Sequence, residues 1–252
     1  MSVFLSVENI KLTYQTIHSE TQAVQDVSFQ VEKGQFISIV GPSGCGKSTL
    51  LSCIAGVTMP TAGRILLEGQ QIAGISTSVG YMLQSDNLMP WRSIYKNVVI
   101  GLEIQNKLTA ENTAYVCELL KKYGLWEFKD SYPSALSGGM RQRVALIRTL
   151  AVRPRLLLLD EAFSALDYQT RVDVSQDVYR ILRSENQTML MVTHDIPEAI
   201  SMSDRVIVLS KRPATVARDI AVPFGQDRDL TGLRASAQYR QCYNKVWKEM
   251  TR

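Results

Sequence analysis

The nine residues Gly41-Pro-Ser-Gly-Cys-Gly-Lys-Ser-Thr49 constrain the fold more than any other feature of the chain. They follow an apolar run, Phe36-Ile-Ser-Ile-Val40, and precede Leu50, Leu51 and Ile54 at helical spacing, with Gly56 placed to close that helix. A strand, a glycine-rich turn and a helix in that order match the phosphate-cradling pattern G-x-x-x-x-G-K-[ST]. Glycines let the backbone wrap closely around a phosphate chain, Lys47 neutralises terminal oxygens, and the Ser48 hydroxyl suits magnesium. The candidate nucleotide contacts here are Gly41, Ser43, Gly44, Cys45, Gly46, Lys47, Ser48 and Thr49. The fold they demand is α/β.

The rest of the chain is consistent with that. Residues 3–14 and 24–40 read as strands joined by a polar loop, and Arg64–Glu68 and Val79–Leu83 as two more. Leu156-Leu-Leu-Leu159 is continuous rather than alternating, as expected of a parallel strand buried on both faces. Thr188–Val192 and Arg205–Leu209 add further strands. Between them the character changes. Val116, Leu119, Leu120 and Tyr123 form one helical face, and Met140, Val144, Ile147 and Ala151 another, so residues 88–153 read as an inserted helical subdomain. Asp167 can cap a helix whose face holds Val174, Val178, Ile181 and Leu182. Residues 211–252 form an extension in which Tyr239, Tyr243, Val246, Trp247 and Met250 predict an amphipathic helix docked on the same domain.

Composition narrows the function classes. No apolar run approaches the roughly 20 residues that span a bilayer, and the N-terminus has no secretory signal, so any membrane association is expected to go through a partner. The formal net charge of +4 is mild and the basic residues are scattered; a nucleic-acid surface would need a denser stripe. The four cysteines, Cys45, Cys53, Cys117 and Cys242, lack metal-ligand spacing and read as buried or incidental thiols.

Further polar residues are candidates for the same chemistry. Asp160 and Glu161 end the four-leucine strand. Adjacent residues on a strand point to opposite faces, leaving Asp160 for magnesium and Glu161 for the water that attacks a γ-phosphate. Gln84 follows Val79–Leu83 and His194 follows Thr188–Val192, at the carboxyl ends where open α/β sheets bind ligands. Gln84 could sense magnesium or water, His194 could bond the γ-phosphate, and Tyr14 could stack on a base.

One stretch does not fit a single site. Ser134-Ala-Leu-Ser-Gly-Gly-Met-Arg-Gln142 offers Ser137, Gly138 and Gly139 at the start of a helix, which is anion-binding chemistry, yet it carries no lysine. Leu136-Ser-Gly-Gly-Met-Arg-Gln142 resembles the signature of the ATP-binding cassette (ABC) ATPases. The phosphate loop, Gln84 at the Q-loop position, Leu156–Asp160 with Glu161, Ser164-Ala-Leu-Asp167 as D-loop and His194 as switch histidine follow in that family's order across about residues 3–210. Met140 departs from the glutamine usual there.

The resemblance implies a P-loop NTPase with a mixed, mainly parallel core sheet, an N-terminal antiparallel β subdomain and the helical insert. It implies ATP and Mg2+ as cofactors, with Ser48, Gln84 and Asp160 around the metal. It also implies a second copy of the chain, whose phosphate loop faces Ser137, Gly138 and Gly139. The stretch Gly80–Trp91 is similar to importer ATPases of the nitrate, sulfonate and taurine type, and relatives serve pyrimidine precursors of thiamine. From this follow a permease docked near Leu88–Trp91, a substrate-binding protein acting through it, and a place on the cytoplasmic face of the membrane. The solute would be a small organic or inorganic anion or a pyrimidine-type precursor. The alternative is a non-transport ABC ATPase such as a cofactor-assembly scaffold; intact Glu161 and His194 argue against a module without turnover.

Overall fold

The computed structural model describes residues 3–15, 19–164, 166–225 and 228–251. Along the chain run β1 (Val3–Gln15), β2 (Glu20–Glu32), β3 (Phe36–Val40), α1 (Lys47–Ile54), β4 (Ala62–Leu67), β5 (Gln70–Gln71) and β6 (Val79–Met82). There follow α2 (Ile94–Ile104), α3 (Ala110–Lys122), α4 (Gly138–Ala151), β7 (Leu156–Asp160), α5 (Tyr168–Ser184) and β8 (Thr188–Val192). The chain ends with α6 (Ile196–Met202), β9 (Arg205–Leu209), β10 (Ala214–Ala221), α7 (Leu230–Leu233) and α8 (Ala237–Met250).

Two compact units emerge, one of residues 1–76 and 179–252, the other of residues 77–178. In the first, the strand order is β5-β4-β1-β2-β10-β9-β3-β8. The β9-β3-β8 core is parallel, with every residue of β3 and β8 buried. The β1, β2, β4 and β5 ribbon is antiparallel. The second unit carries the parallel pair β6–β7 together with α2, α3 and α4. The mixed α/β architecture expected from the sequence is present.

Some elements differ from the expectation. β2 begins at Glu20 rather than residue 24, because Gln15 pairs with Glu20 in register across the hairpin; polarity marked this as loop, but pairing makes it strand. The run 24–40 is broken after Glu32 by a turn in which Gly34 has φ +76°. β10, α6 and α7 were not among the elements expected from the sequence. The extension docks through α8: Tyr239, Cys242 and Val246 bury against Val40, Ile200, Val206 and Val208, with Tyr243 and Met250 partly buried beside them, whereas Trp247, expected on the same face, is 52% exposed. Cys45, Cys53 and Cys242 are buried free thiols, and burial pushes Cys53 up to about 11. Cys117 is only half-buried.

A buried ion cluster fastens the extension. Asp204 accepts from Arg183 at 2.6 Å and Arg228 at 3.2 Å, and also from the Phe36 N–H at 2.9 Å. Arg228 also donates to the carbonyls of Ser203, Phe224 and Gly225, and both guanidiniums lie over the Tyr179 ring. The two arginine side chains are 10% and 3% exposed, so removing Asp204 strands two positive charges away from water. Asp204→Ala should therefore cost about 3–5 kcal/mol, read as a lowered denaturant midpoint at unchanged slope. A loss within 0.5 kcal/mol would show that the cluster adds nothing.

Candidate functional site

In the first unit the phosphate loop leaves β3 directly. Gly46 caps α1 at φ +115°, and a Cβ there would stand 3.0 Å from the Ala23 carbonyl oxygen, so only glycine keeps this path. Lys47 is buried, and its ammonium donates to the carbonyls of Gly41 at 2.9 Å and Pro42 at 3.0 Å. The side chain thus curls over the loop it belongs to. Ser43, Gly44 and Ser48 are exposed, Cys45 is buried, and Thr49 accepts a 3.4 Å hydrogen bond from the Tyr14 hydroxyl. Tyr14 is 44% exposed on β1, free to present its ring.

His194 lies at the same sheet edge. β3 and β8 run parallel in register from Phe36↔Met189 to Ile39↔Val192, and the Thr193 N–H donates to the Ile39 carbonyl. The exposed His194 is bracketed by a rigid turn. The Asp195 N–H donates to the Thr193 hydroxyl, the Glu198 N–H to the Asp195 carboxylate, and Thr193 bonds the buried Glu198 carboxylate. Thr193, Asp195 and Glu198 escaped the sequence reading, although Asp195-x-x-Glu198 before an apolar run is a capping-box signal.

The second unit gathers the other polar candidates. Asp160 ends β7 as expected and accepts from the Tyr81 hydroxyl at 3.1 Å. Glu161 does not belong to the strand. Its φ is +47°, in the left-handed region, so the rule of opposite strand faces does not set its direction. A tight turn aims it instead, and Gln84 reaches it there. The Gln84 side-chain amide points at Glu161 Oε2 (3.5 Å) and Ser164 Oγ (3.4 Å), both at the outer limit of hydrogen bonding. Gln84 sits two residues past β6, which stops at Met82 rather than Leu83. Tyr81 was missed; only its β6 register beside β7 could have marked it.

Ser137 caps α4 in extended conformation, its hydroxyl accepting from the Met140 N–H at 3.4 Å. A Cβ on Gly139 would meet the side chains of Thr170 at 3.0 Å and Val174 at 3.3 Å, so α5 packs tightly against that glycine, whereas Gly138 has only an ordinary contact. Of the D-loop segment, Ala165 lies outside the described residues. Asp167 caps α5, with bonds from Thr170 holding its carboxyl below the usual carboxylate range.

Residues 24–164 match the family described as ABC transporter. The chain belongs to that family. It is 46% identical over 252 residues to the uncharacterised ABC transporter ATP-binding protein YtlC of Bacillus subtilis, covering 98% of this chain and 95% of the relative. The nitrate import ATP-binding protein NrtC of Synechococcus elongatus is 38% identical over 98% of this chain, which spans 38% of that longer protein. The taurine import ATP-binding protein TauB of Yersinia pestis is 42% identical, covering 81% of this chain and 80% of TauB. Among solved structures, the dimeric post-hydrolysis ABC cassette MJ0796 with ADP and Pi superposes at TM-score 0.75 and 29% identity. The match covers 88% of this chain and all of that one.

The chain is thus an ABC ATPase, and its donors fit the nucleotide and metal the family implies. Glycine-permitted N–H groups, a lysine and an exposed helix start receive phosphates. By donor chemistry alone, the hydroxyl of Ser48 in the first unit, and separately the carboxylate of Asp160 and the amide oxygen of Gln84 in the second, are each hard oxygen donors of the kind magnesium takes. Among the described residues no cluster of three or more His, Cys, Asp or Glu could hold a metal, and a magnesium shared with phosphates requires none.

Proposed function

We propose that this chain is the ATP-hydrolysing motor subunit of a solute importer, binding Mg-ATP between two head-to-tail copies of itself and driving separate membrane subunits. The observation that carries this reading is the second glycine-rich helix start, Ser137-Gly-Gly139, in a chain that already owns a full phosphate loop. Half a phosphate site is useful only if another chain supplies the rest. In this reading Lys47 and the loop from Gly41 to Thr49 grip the phosphates, Tyr14 stacks on adenine, and Ser48, Gln84 and Asp160 surround magnesium. Glu161 orients the attacking water and His194 bonds the γ-phosphate. Residues 88–153 act as the helical insert and 211–252 as an extension of one nucleotide-binding domain.

No helix among the described residues is long and apolar enough to cross a membrane, so the membrane part would come from a permease, itself fed by a substrate-binding protein. The solute would be a small organic or inorganic anion or a pyrimidine-type precursor, with nitrate and taurine relatives favouring the anion. Within the proposed docking stretch Leu88 is buried, whereas Trp91 is 73% exposed and Ile104 on α2 is 75% exposed. The permease is therefore expected to meet Trp91 rather than Leu88. A cysteine at Trp91, in a background lacking Cys117, should crosslink to a co-expressed permease. Crosslinks arising only elsewhere on an intact complex would discard this surface, and an ATPase that never co-purifies with any permease would favour the non-transport alternative.

A further inference from the structure

The turn that follows Gln84 is bound to the helix that Ser137 begins, by contacts no role assigned so far requires. Arg141 lies in the first turn of α4, its N–H donating to the Ser137 carbonyl at 3.0 Å. Its side chain donates through Nη1 to the Leu136 carbonyl at 2.9 Å and through Nε to Asp86 Oδ2 at 3.0 Å. The other Asp86 oxygen accepts the Leu88 N–H at 3.1 Å, so one carboxylate both shapes the turn and ties it to the helix. Two helical turns on, Arg148 donates to the carbonyls of Asp86 at 2.6 Å and Asn87 at 2.8 Å. Asn97 fixes the far side, its amide bonding the backbone of Met89, Arg92 and Ser93.

We infer that Arg141 and Asp86 are a positioning pair that locks the Gln84 loop to the start of α4, so that Gln84 with Glu161 and the phosphate-facing Ser137 are held in one geometry. Neither residue touches nucleotide in the proposed arrangement, and each acts through the backbone it holds. Coulomb attraction is not the main contribution. The two side chains are 38% and 27% exposed, so solvent screens the charge, and the directional bonds to Leu136 and Leu88 give the pair its effect. Arg148, more deeply placed, has its guanidinium pushed down by burial and serves as the second fastening. The consequence is specific: loosening the pair should impair closure on a partner's phosphate while leaving the chain's own phosphate loop intact.

This inference rests on the composite-site reading, and the test separates the two. In a Glu161→Gln background, Arg141→Gln, Asp86→Ala and the double variant are compared by sedimentation across an ATP titration. Each single variant should raise the ATP midpoint for dimerisation about tenfold, and the double should be no worse than either, the non-additivity of contacting residues. Arg141→Lys should recover part of the loss, since it keeps a donor for Asp86 but not the fork that also reaches Leu136. Nucleotide affinity of the monomer, measured with Ser137→Arg added to prevent dimerisation, should stay within about twofold. Unchanged midpoints, additive losses or reduced monomer affinity overturn the pair's role. Failure of the Glu161→Gln parent to dimerise with ATP overturns the composite site itself, and this inference with it.

Discussion

Lys47→Ala should abolish ATP binding, whereas Glu161→Gln should keep binding and lose turnover by about 100- to 10,000-fold, the range for removing a general base. The contrast follows from position. Lys47 is buried in the loop, and its ammonium, held over the carbonyls of Gly41 and Pro42, is the positive charge that a triphosphate would meet in the proposed arrangement. Glu161 sits after β7 in a left-handed turn, facing the Gln84 amide. Glutamine is nearly isosteric and should preserve that turn while removing the carboxylate proposed to act as the base. Nucleotide titration beside steady-state turnover checks both. Equal loss of affinity in the two variants would mean that Glu161 binds nucleotide rather than acting on water.

Ser137→Arg should leave monomer ATP binding intact and abolish the ATP-held dimer of the Glu161→Gln protein. A single-subunit site has no reason to behave this way. The arginine puts bulk at the start of α4, where the partner's γ-phosphate would sit, and leaves the chain's own loop unaltered. The helix itself should survive: the Ser137 cap bond is long, at 3.4 Å, and its loss costs about 1 kcal/mol or less. Ser137→Ala isolates that cost, because it removes the cap without obstruction and should still dimerise. Sedimentation with and without ATP, beside a binding titration, reads the three variants. A surviving dimer in Ser137→Arg, or a monomer that no longer binds ATP, would refute the second phosphate site.

The sequence was most informative where local chemistry decides the backbone. The left-handed turn at Gly46, with φ +115°, and the four consecutive buried leucines of β7 are both written in their own residues. It was least informative where pairing across long sequence separation decides. β10 alternates weakly and is a strand because β9 and β2 flank it. The first residues of β2 are polar and are strand because Gln15 lies opposite Glu20. At the site, residue identities were legible but directions were not. Opposite strand faces was a reasonable rule for Asp160 and Glu161, and the positive φ of Glu161 set it aside. Tyr81 and Asp86 carry no motif, since their partners Asp160 and Arg141 lie 79 and 55 residues away and meet them only in the fold.

The packing of α8 behind the phosphate-loop strand has a consequence for how the chain comes off the ribosome. Val40, the residue just before the loop, shares its core with Tyr239, Cys242 and Val246, and β3 takes both its neighbours, β8 and β9, from beyond residue 187. The loop motif is made early, but the walls that hold it are made more than a hundred residues later. At synthesis rates of about 5–20 residues per second, the nascent chain carries an unsupported phosphate loop for roughly ten seconds or more. Contacts of such wide sequence separation form late, because loop closure must come before they are gained. A supported phosphate loop therefore requires residues made long after the loop itself: its strand lacks both flanking strands until β8 and β9 have been made, and lacks its α8 packing until residue 246.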